Sequence, residues 1–182
     1  MKFRETDIPG AWVIGMDKRE DERGYFARVW CANELHSLGL NAGLSQVNTA
    51  LSLRAGTLRG MHFQMASHAE VKIVRCLRGA VFDVVLDLRR RSPTFSQWFG
   101  LVLTPDSGEM LYIPKGCAHG YLTQADNTEL LYFTSHSYVA IAANGVRHDD
   151  PVFGIQWPGA INVISQADRS WPTFTNSQEY FP

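Results

Sequence analysis

The sequence predicts an all-β chain that closes on itself as a sandwich or barrel, with helix confined to the edges. Three observations carry that expectation. Short segments rich in β-branched and aromatic residues alternate with turn signals along most of the chain. From Val71 onward these segments recur at the spacing of a sandwich or barrel, with neither an internal repeat nor a low-complexity linker between them. Two glycine-bearing histidine segments, Leu58 to Gln64 and Pro114 to Tyr121, flank alternating apolar runs, so a curled antiparallel sheet brings both imidazoles into one cavity. With a reference pKa of about 6.5, an imidazole can take or give a proton near neutral pH, which makes such a cavity a candidate acid–base site.

In chain order, Trp12-Val13-Ile14 and Gly24 to Trp30 read as strands separated by a charged turn from Asp17 to Arg23. Ala32 to Leu40 has the pattern of a helix. Leu44 to Ser52 resumes extended structure, and Gly56-Thr57-Leu58 leads into the first histidine strand. Val71 to Leu77, Gly79 to Leu88, Trp98 to Leu103, Met110 to Ile113 and Glu129 to Tyr138 follow as strands. The run Arg89-Arg90-Arg91 before Ser92-Pro93 reads as a solvated hairpin tip. After Trp157-Pro158 the composition turns polar, and Ser165 to Ser170 reads as a capped turn or short helix.

Composition bounds the function. The chain has 182 residues, 45% hydrophobic and 12% aromatic, enough to bury one sizeable core, so a single domain over 1–182 is expected. Seventeen basic residues against eighteen acidic give a net charge of -1. No overall field is available to hold nucleic acid or an anionic membrane, and phosphate recognition falls to a few placed arginines. Cys31, Cys76 and Cys117 are an odd, widely spaced set without zinc-type pairing, and no apolar signal region opens the chain. A reducing cytoplasm is the expected location, and no apolar run reaches membrane-spanning length.

Alternation then sorts the polar residues. In Gly79 to Leu88, Asp83 and Asp87 share a face with Val81 and Val85, so two carboxylates point wherever that face looks. A hairpin through Arg78-Gly79 sets Lys72, Val74 and Cys76 beside Asp83; Lys72 and Asp83 are then a structural ion pair at the barrel mouth or part of a site. Tyr132 and Tyr138 lie at even spacing and, on an unbroken strand, point the same way as barrel lining or as a phenolic acid. Arg23, Arg59 and Lys72 are the candidate anion contacts.

From Pro9-Gly10-Ala11 to Trp171-Pro172 the chain resembles the dTDP-4-dehydrorhamnose 3,5-epimerase family. The matching segments are Asp21 to Phe26, LRGMHFQ, Val71 to Arg75, GAVFDVVLDLRR followed by SPTF, YIPKGCAHGY, ELLYFTSHSY, DDPVFGIQWP and ISQAD, in order and at the family's spacing. The resemblance implies a cupin-type jelly roll with a few short peripheral helices and a homodimer with exchanged N-terminal strands. It also implies residues 159–182 closing over the site, and no metal or redox cofactor. The implied substrate is a nucleotide-linked 4-keto-6-deoxyhexose, most simply the dTDP sugar, inverted at C3, C5 or both.

A carbon acid beside a ketone is weakly acidic, so such a reaction needs a base and stabilisation of the enolate oxygen. By resemblance His62 is the base, Asp168 its orienting carboxylate, Lys72 the cation at the enolate oxygen with Asp83 behind it, and Tyr132 the acid on the opposite face. His119 is a second pocket histidine and Tyr138 a ring against which the ligand packs. The diphosphate falls to Arg59 with Gln46 and Asn48, and the nucleotide to Arg23 and Phe26 of a partner subunit.

Some positions depart from the family pattern. Arg28 stands where a glutamate is typical, Ala167 where a lysine is frequent and His148 where a tryptophan is common, while Phe133, Ser135, His136 and Ser137 change the polar pattern between the tyrosines. These bear on the carrier base and on whether one carbon or both are inverted. Two other classes are open to the same barrel. One is a metal-dependent cupin isomerase or oxygenase using His62, Glu70 and His119, with Gln64 where a second close histidine would stand and His68 offset. The other is a non-catalytic nucleotide-sugar binder, which has no need of an opposed acid and base.

Overall fold

The computed structural model describes residues 1–175, 180 and 181. Its strands are β1 (Lys2–Glu5), β2 (Trp12–Gly15), β3 (Arg19–Asp21), β4 (Gly24–Phe26), β5 (Gln46–Ser52), β6 (Thr57–Gln64) and β7 (Lys72–Arg78). There follow β8 (Val81–Asp87), β9 (Trp98–Leu103), β10 (Glu109–Ile113), β11 (Cys117–Thr123), β12 (Thr128–Thr134), β13 (Ala143–Gly145) and β14 (Val163–Ile164). Two short helices, α1 (Ala32–Ser37) and α2 (Gln166–Arg169), lie at the periphery.

One sheet has the order β1-β2-β10-β7-β12-β5 and the other β13-β6-β11-β8-β9, with β14 parallel to β6. From β5 to β12 the chain crosses between sheets at every connection except β8 to β9, which gives the cupin-type jelly roll. The crossing at Arg78-Gly79 replaces the expected hairpin. β7 and β8 do not pair; their apolar faces meet across the interior, where Val74 and Cys76 pack with Val81, Val85, Leu103 and Leu111.

Both outer faces are covered in part as well, Val47 and Leu51 of β5 remaining exposed. Val84, Leu86 and Leu88 alternate with the inward Val81 and Val85 and pack outside the second sheet with Phe153, Phe174 and Phe181. Leu35 of α1 and Leu40 cover Ile14, Ile73 and Met110 outside the first. A strand buried on both faces reads as a continuous apolar run, which is the texture of β8. Burial pushes the Cys76 thiol up to about 11 and the Cys117 thiol up to about 12, so neither is a thiolate at neutral pH.

Several local expectations are corrected. The first helix stops at Ser37, before Leu40. The charged stretch after Asp17 contains β3, and the segment from Gly24 pairs only as far as Phe26; together they form a separate hairpin with every residue of both strands exposed, so no apolar alternation marks it. β1 carries no apolar signal either and pairs with β2, which pairs in turn with β10.

Arg89 is not at a solvated tip. Its guanidinium makes two bonds of 2.8 Å to the fully buried Asp87, and its backbone bridges to Phe181. Asp87 also accepts from the Ser92 and Thr94 hydroxyls. It therefore anchors a turn, leaving Asp83 as the carboxylate of β8 that is buried in the interior. Burial alone would raise the Asp87 carboxyl, but Arg89, Ser92, Thr94 and the Arg89 N–H outweigh it and hold it below the ordinary carboxylate range. A lowered folded value means the stabilisation is complete above the unfolded pKa and is lost as pH falls through the folded one. Asp87→Ala is expected to cost roughly 2–3 kcal/mol at neutral pH, because it strands the half-buried guanidinium and two hydroxyls. Urea melts of both proteins at pH 7 and in the acid range should show that difference shrinking on acidification.

Candidate active site

The site is built on an irregularity in β6. His62 pairs with His119 of β11, but Tyr121, two residues further along, pairs with Arg59, three residues back on β6. The extra residue is a β-bulge, and it sets Arg59 and His62, which strict alternation would send to opposite faces, toward the same interior. The glycines of the two motifs permit it. Gly60 has φ +141°, and a Cβ there would come within 2.5 Å of the Gly120 Cα.

Asp168 arrives from 106 residues away. Ser165 caps α2 by accepting the Asp168 N–H at 3.0 Å, and the buried Asp168 carboxylate meets His62 Nε2 at 2.6 Å. The Gly60 N–H donates to its other oxygen at 3.4 Å. Burial favours a neutral Asp168, but His62, Gly60 and Ser165 prevail and hold the carboxyl below its ordinary range. A carboxylate on Nε2 fixes a proton on that nitrogen and leaves Nδ1 as the basic one.

The facing wall comes from the first sheet. Register aligns Asn48, Tyr132 and Val74 across β5, β12 and β7, and Gln46, Thr134 and Lys72 in the next row. A cavity of about 740 Å³ lies between this wall and β6, bordered by His62, Asp168, Lys72, Tyr132, Gln46 and Asn48, with Tyr138, Thr134, Asn144 and Trp171. A second cavity of about 240 Å³ shares His62, Lys72 and Tyr132 with it and adds Arg59, His119 and Tyr121. The base-capable imidazole and the phenol thus stand on opposing sheets. Burial, reinforced by the Glu70 charge and opposed by Arg59, raises the Tyr132 phenol above its usual value, so it enters neutral pH as a proton donor.

Of the residues singled out in the sequence, His62, Asp168, Lys72, Tyr132, Gln46, Asn48 and Tyr138 border the larger cavity, and Arg59 and His119 the smaller. Tyr138 gets there differently from expectation: β12 ends at Thr134, and Tyr138 follows a bend, its backbone N–H on Gln46 Oε1 at 2.6 Å. Asp83 does not back Lys72. It is fully buried and bonds His119 Nε2 at 2.8 Å, while Lys72 pairs with Glu70 at 3.2 Å.

Arg23 and Phe26 lie outside both cavities. The Arg23 side chain is 84% exposed and paired with Asp21, and Phe26 is 70% exposed on the β3–β4 hairpin. Arg28 is also away from the site, bonded to Glu34. Thr134, which shares the Tyr132 side of the strand by alternation, lines the cavity as well, and the residues missed as lining are Trp171, Asn144 and Tyr121. Tyr121 was accessible through its even spacing from His119, and Trp171 through its place three residues after Asp168.

His62 and His119 each place Nε2 on a carboxylate, and Glu70 is paired with Lys72 rather than with either imidazole. Among the described residues no group of three His, Cys, Asp or Glu side chains is arranged to hold a metal ion.

A family model described as dTDP-4-dehydrorhamnose 3,5-epimerase matches residues 5–176. The dTDP-4-dehydrorhamnose 3,5-epimerase of Sinorhizobium fredii is 38% identical over 174 residues, covering 95% of this chain and 89% of that protein. The crystal structure of dTDP-4-dehydrorhamnose 3,5-epimerase from Bacillus anthracis, with TDP and PPi bound, superposes with a TM-score of 0.91 at 36% identity, covering 95% of this chain and 99% of that one. A 3'-monoepimerase from Streptomyces bikiniensis, in complex with dTDP-quinovose, superposes with a TM-score of 0.85 at 31% identity, covering 92% of this chain and 85% of that one.

Proposed function

This chain belongs to the dTDP-4-dehydrorhamnose 3,5-epimerase family, and we propose that it inverts C3, C5 or both of a dTDP-linked 4-keto-6-deoxyhexose through an enolate, with His62 and Tyr132 working from opposite faces. It is an isomerase of deoxysugar biosynthesis. His62 Nδ1 removes the proton beside the ketone, and the C–H electron pair becomes the enolate, with its charge on O4. The Lys72 ammonium stabilises that oxygen, in a cavity where a fixed charge acts more strongly than in water. The Tyr132 hydroxyl then delivers its proton to the other face of the same carbon. Inversion leaves imidazolium and phenolate, and exchange with solvent resets both.

The observation that carries this reading is the 2.6 Å His62–Asp168 contact on one sheet and the Tyr132 phenol on the sheet across one shared cavity. Binding alone requires no such opposition, which disfavours the non-catalytic reading. Arg59, in the wall of the smaller cavity with His119, suits the diphosphate, whereas Gln46 and Asn48, expected beside Arg59, line the larger cavity with His62 and Tyr132 and so suit the sugar end better. The test is turnover of a dTDP-4-keto-6-deoxyhexose in D₂O. Label at C3 and C5 with inversion at both is expected; label at C3 alone makes this a monoepimerase, and binding without label removes the enzymatic reading.

The active unit in this proposal is a homodimer. The β3–β4 hairpin holds Arg23, Tyr25 and Phe26 away from their own cavity, a disposition that suits a guanidinium and an aromatic face reaching the nucleotide of a second copy. Of the segment 159–182 expected to close over the site, Ala167, Asp168 and Trp171 line the chain's own cavity, while 176–179 and 182 lie outside the described residues; in this proposal the whole chain is one domain of a cytoplasmic enzyme. Its three cysteines are free, and no described helix is long and apolar enough to cross a membrane.

A further inference from the structure

Glu70 is an acidic residue in the wall of a cavity that must stabilise developing negative charge. Its side chain is 9% exposed and that of Lys72 14%, and their 3.2 Å ion pair borders the same space as His62 and Tyr132. Glu70 is tightly fixed. Its Oε2 accepts from Gln64 Nε2 at 3.1 Å, and Gln64, itself buried, also donates to the His68 and Ser137 carbonyls and accepts the Val139 N–H at 2.7 Å. The next residue, Val71, exchanges hydrogen bonds with Ser135 through its N–H, at 2.8 Å to the hydroxyl, and its carbonyl, at 3.0 Å to the Ser135 N–H. Both carboxylate oxygens are thus engaged, one by a rigid amide and the other by the ammonium.

We propose that Glu70 is a positioning residue for the epimerisation. Held by Gln64, it aims the Lys72 ammonium at the keto oxygen and sets a negative charge in the wall of the cavity that Tyr132 also lines. The inference rests on the reading of Lys72 and Tyr132 given above. A flexible lysine stem holds its ammonium in one place only if something anchors it, and among the described residues Glu70 is the ion-pair partner that Lys72 has. For Tyr132 the largest cause of the raised phenol is burial and the next is the Glu70 charge, with Arg59 acting the other way. His62 and Asp168 across the cavity, Lys72 on the neighbouring strand, Tyr138 in the same wall and His119 and Tyr121 in the adjoining space are the other ionisable groups that line the two cavities with this ring.

The sign follows directly. Removing the negative charge lets Tyr132 ionise at lower pH, and a phenolate has no proton to deliver. In Glu70→Gln the alkaline limb of inversion should therefore move to lower pH, while that of deuterium uptake moves less, because His62 removes the proton without Tyr132. Loss of ammonium alignment should also reduce kcat by on the order of 10- to 100-fold with KM within about twofold. Glu70→Asp, which keeps the charge, should restore the wild-type limb. The measurement is kcat for inversion and for uptake of solvent deuterium against pH for wild type, Glu70→Gln and Glu70→Asp. A Glu70→Gln enzyme with an unshifted limb, or one that loses rate equally at every pH and is not restored by Glu70→Asp, would overturn the role of Glu70 while leaving the epimerase reading intact. A wild-type enzyme that neither labels nor inverts the sugar overturns both.

Discussion

Replacing His62 with alanine is expected to abolish deuterium uptake at every carbon the wild-type enzyme labels, a loss on the order of 10³- to 10⁴-fold, with little change in nucleotide affinity. The size follows from what the imidazole supplies. No other neutral base shares its position: Asp168 already spends its oxygens on His62 Nε2 and the Gly60 N–H, and His119 is bonded to Asp83 on the neighbouring strand. Affinity should survive because Arg59 is held separately, its guanidinium donating to the Leu51 carbonyl at 3.0 Å. Uptake measured by NMR and dTDP binding by calorimetry on the same preparation separate the two quantities. Near-normal uptake in this variant would remove His62 as the base.

Tyr132→Phe should divide the reaction. The base, its carboxylate and Lys72 all remain, so uptake of solvent deuterium should persist within about tenfold of wild type, while inversion falls by about 10²- to 10³-fold for want of an acid on the second face. A proton lost to His62 can come back only from the side it left. The substrate then acquires label with its configuration retained, and that product is the signature to look for. Equal loss of uptake and inversion, accompanied by a raised KM, would make Tyr132 a packing residue.

Much of the barrel was legible because alternation and turn residues report directly on strands with one wet face or with two buried ones; Trp98–Leu103 was placed to the residue. What alternation could not convey is which sheet a strand joins. β7 and β8 look like a hairpin in sequence because Arg78-Gly79 is a good turn, yet they face each other across the interior, and this is why Lys72 finds Glu70 and Asp83 finds His119. The bulge at Gly60 was hidden for a related reason. A single added residue changes which side chains share a face without altering composition, and only the close approach of Gly60 and Gly120 accounts for it.

The contact between His62 and Asp168 was legible only through resemblance. His62 and Asp168 are separated by 106 residues, and nothing in the local pattern of a four-residue helix announces a partner at that distance. Arg89 shows the opposite failure: a run of three arginines beside Ser-Pro looks solvated, but a buried aspartate two residues back claims the first of them.

The opposed placement of imidazole and phenol is tested most directly by a crystal structure of the protein with a dTDP-linked 4-keto-6-deoxyhexose or a close analogue bound. The expected complex has the ring of one sugar between the two sheets, His62 Nδ1 facing the C3 or C5 hydrogen, the Tyr132 hydroxyl on the other face of that carbon and the Lys72 ammonium at O4. A sugar seated with His62 and Tyr132 on the same side of its ring, or bound away from either group, would contradict it.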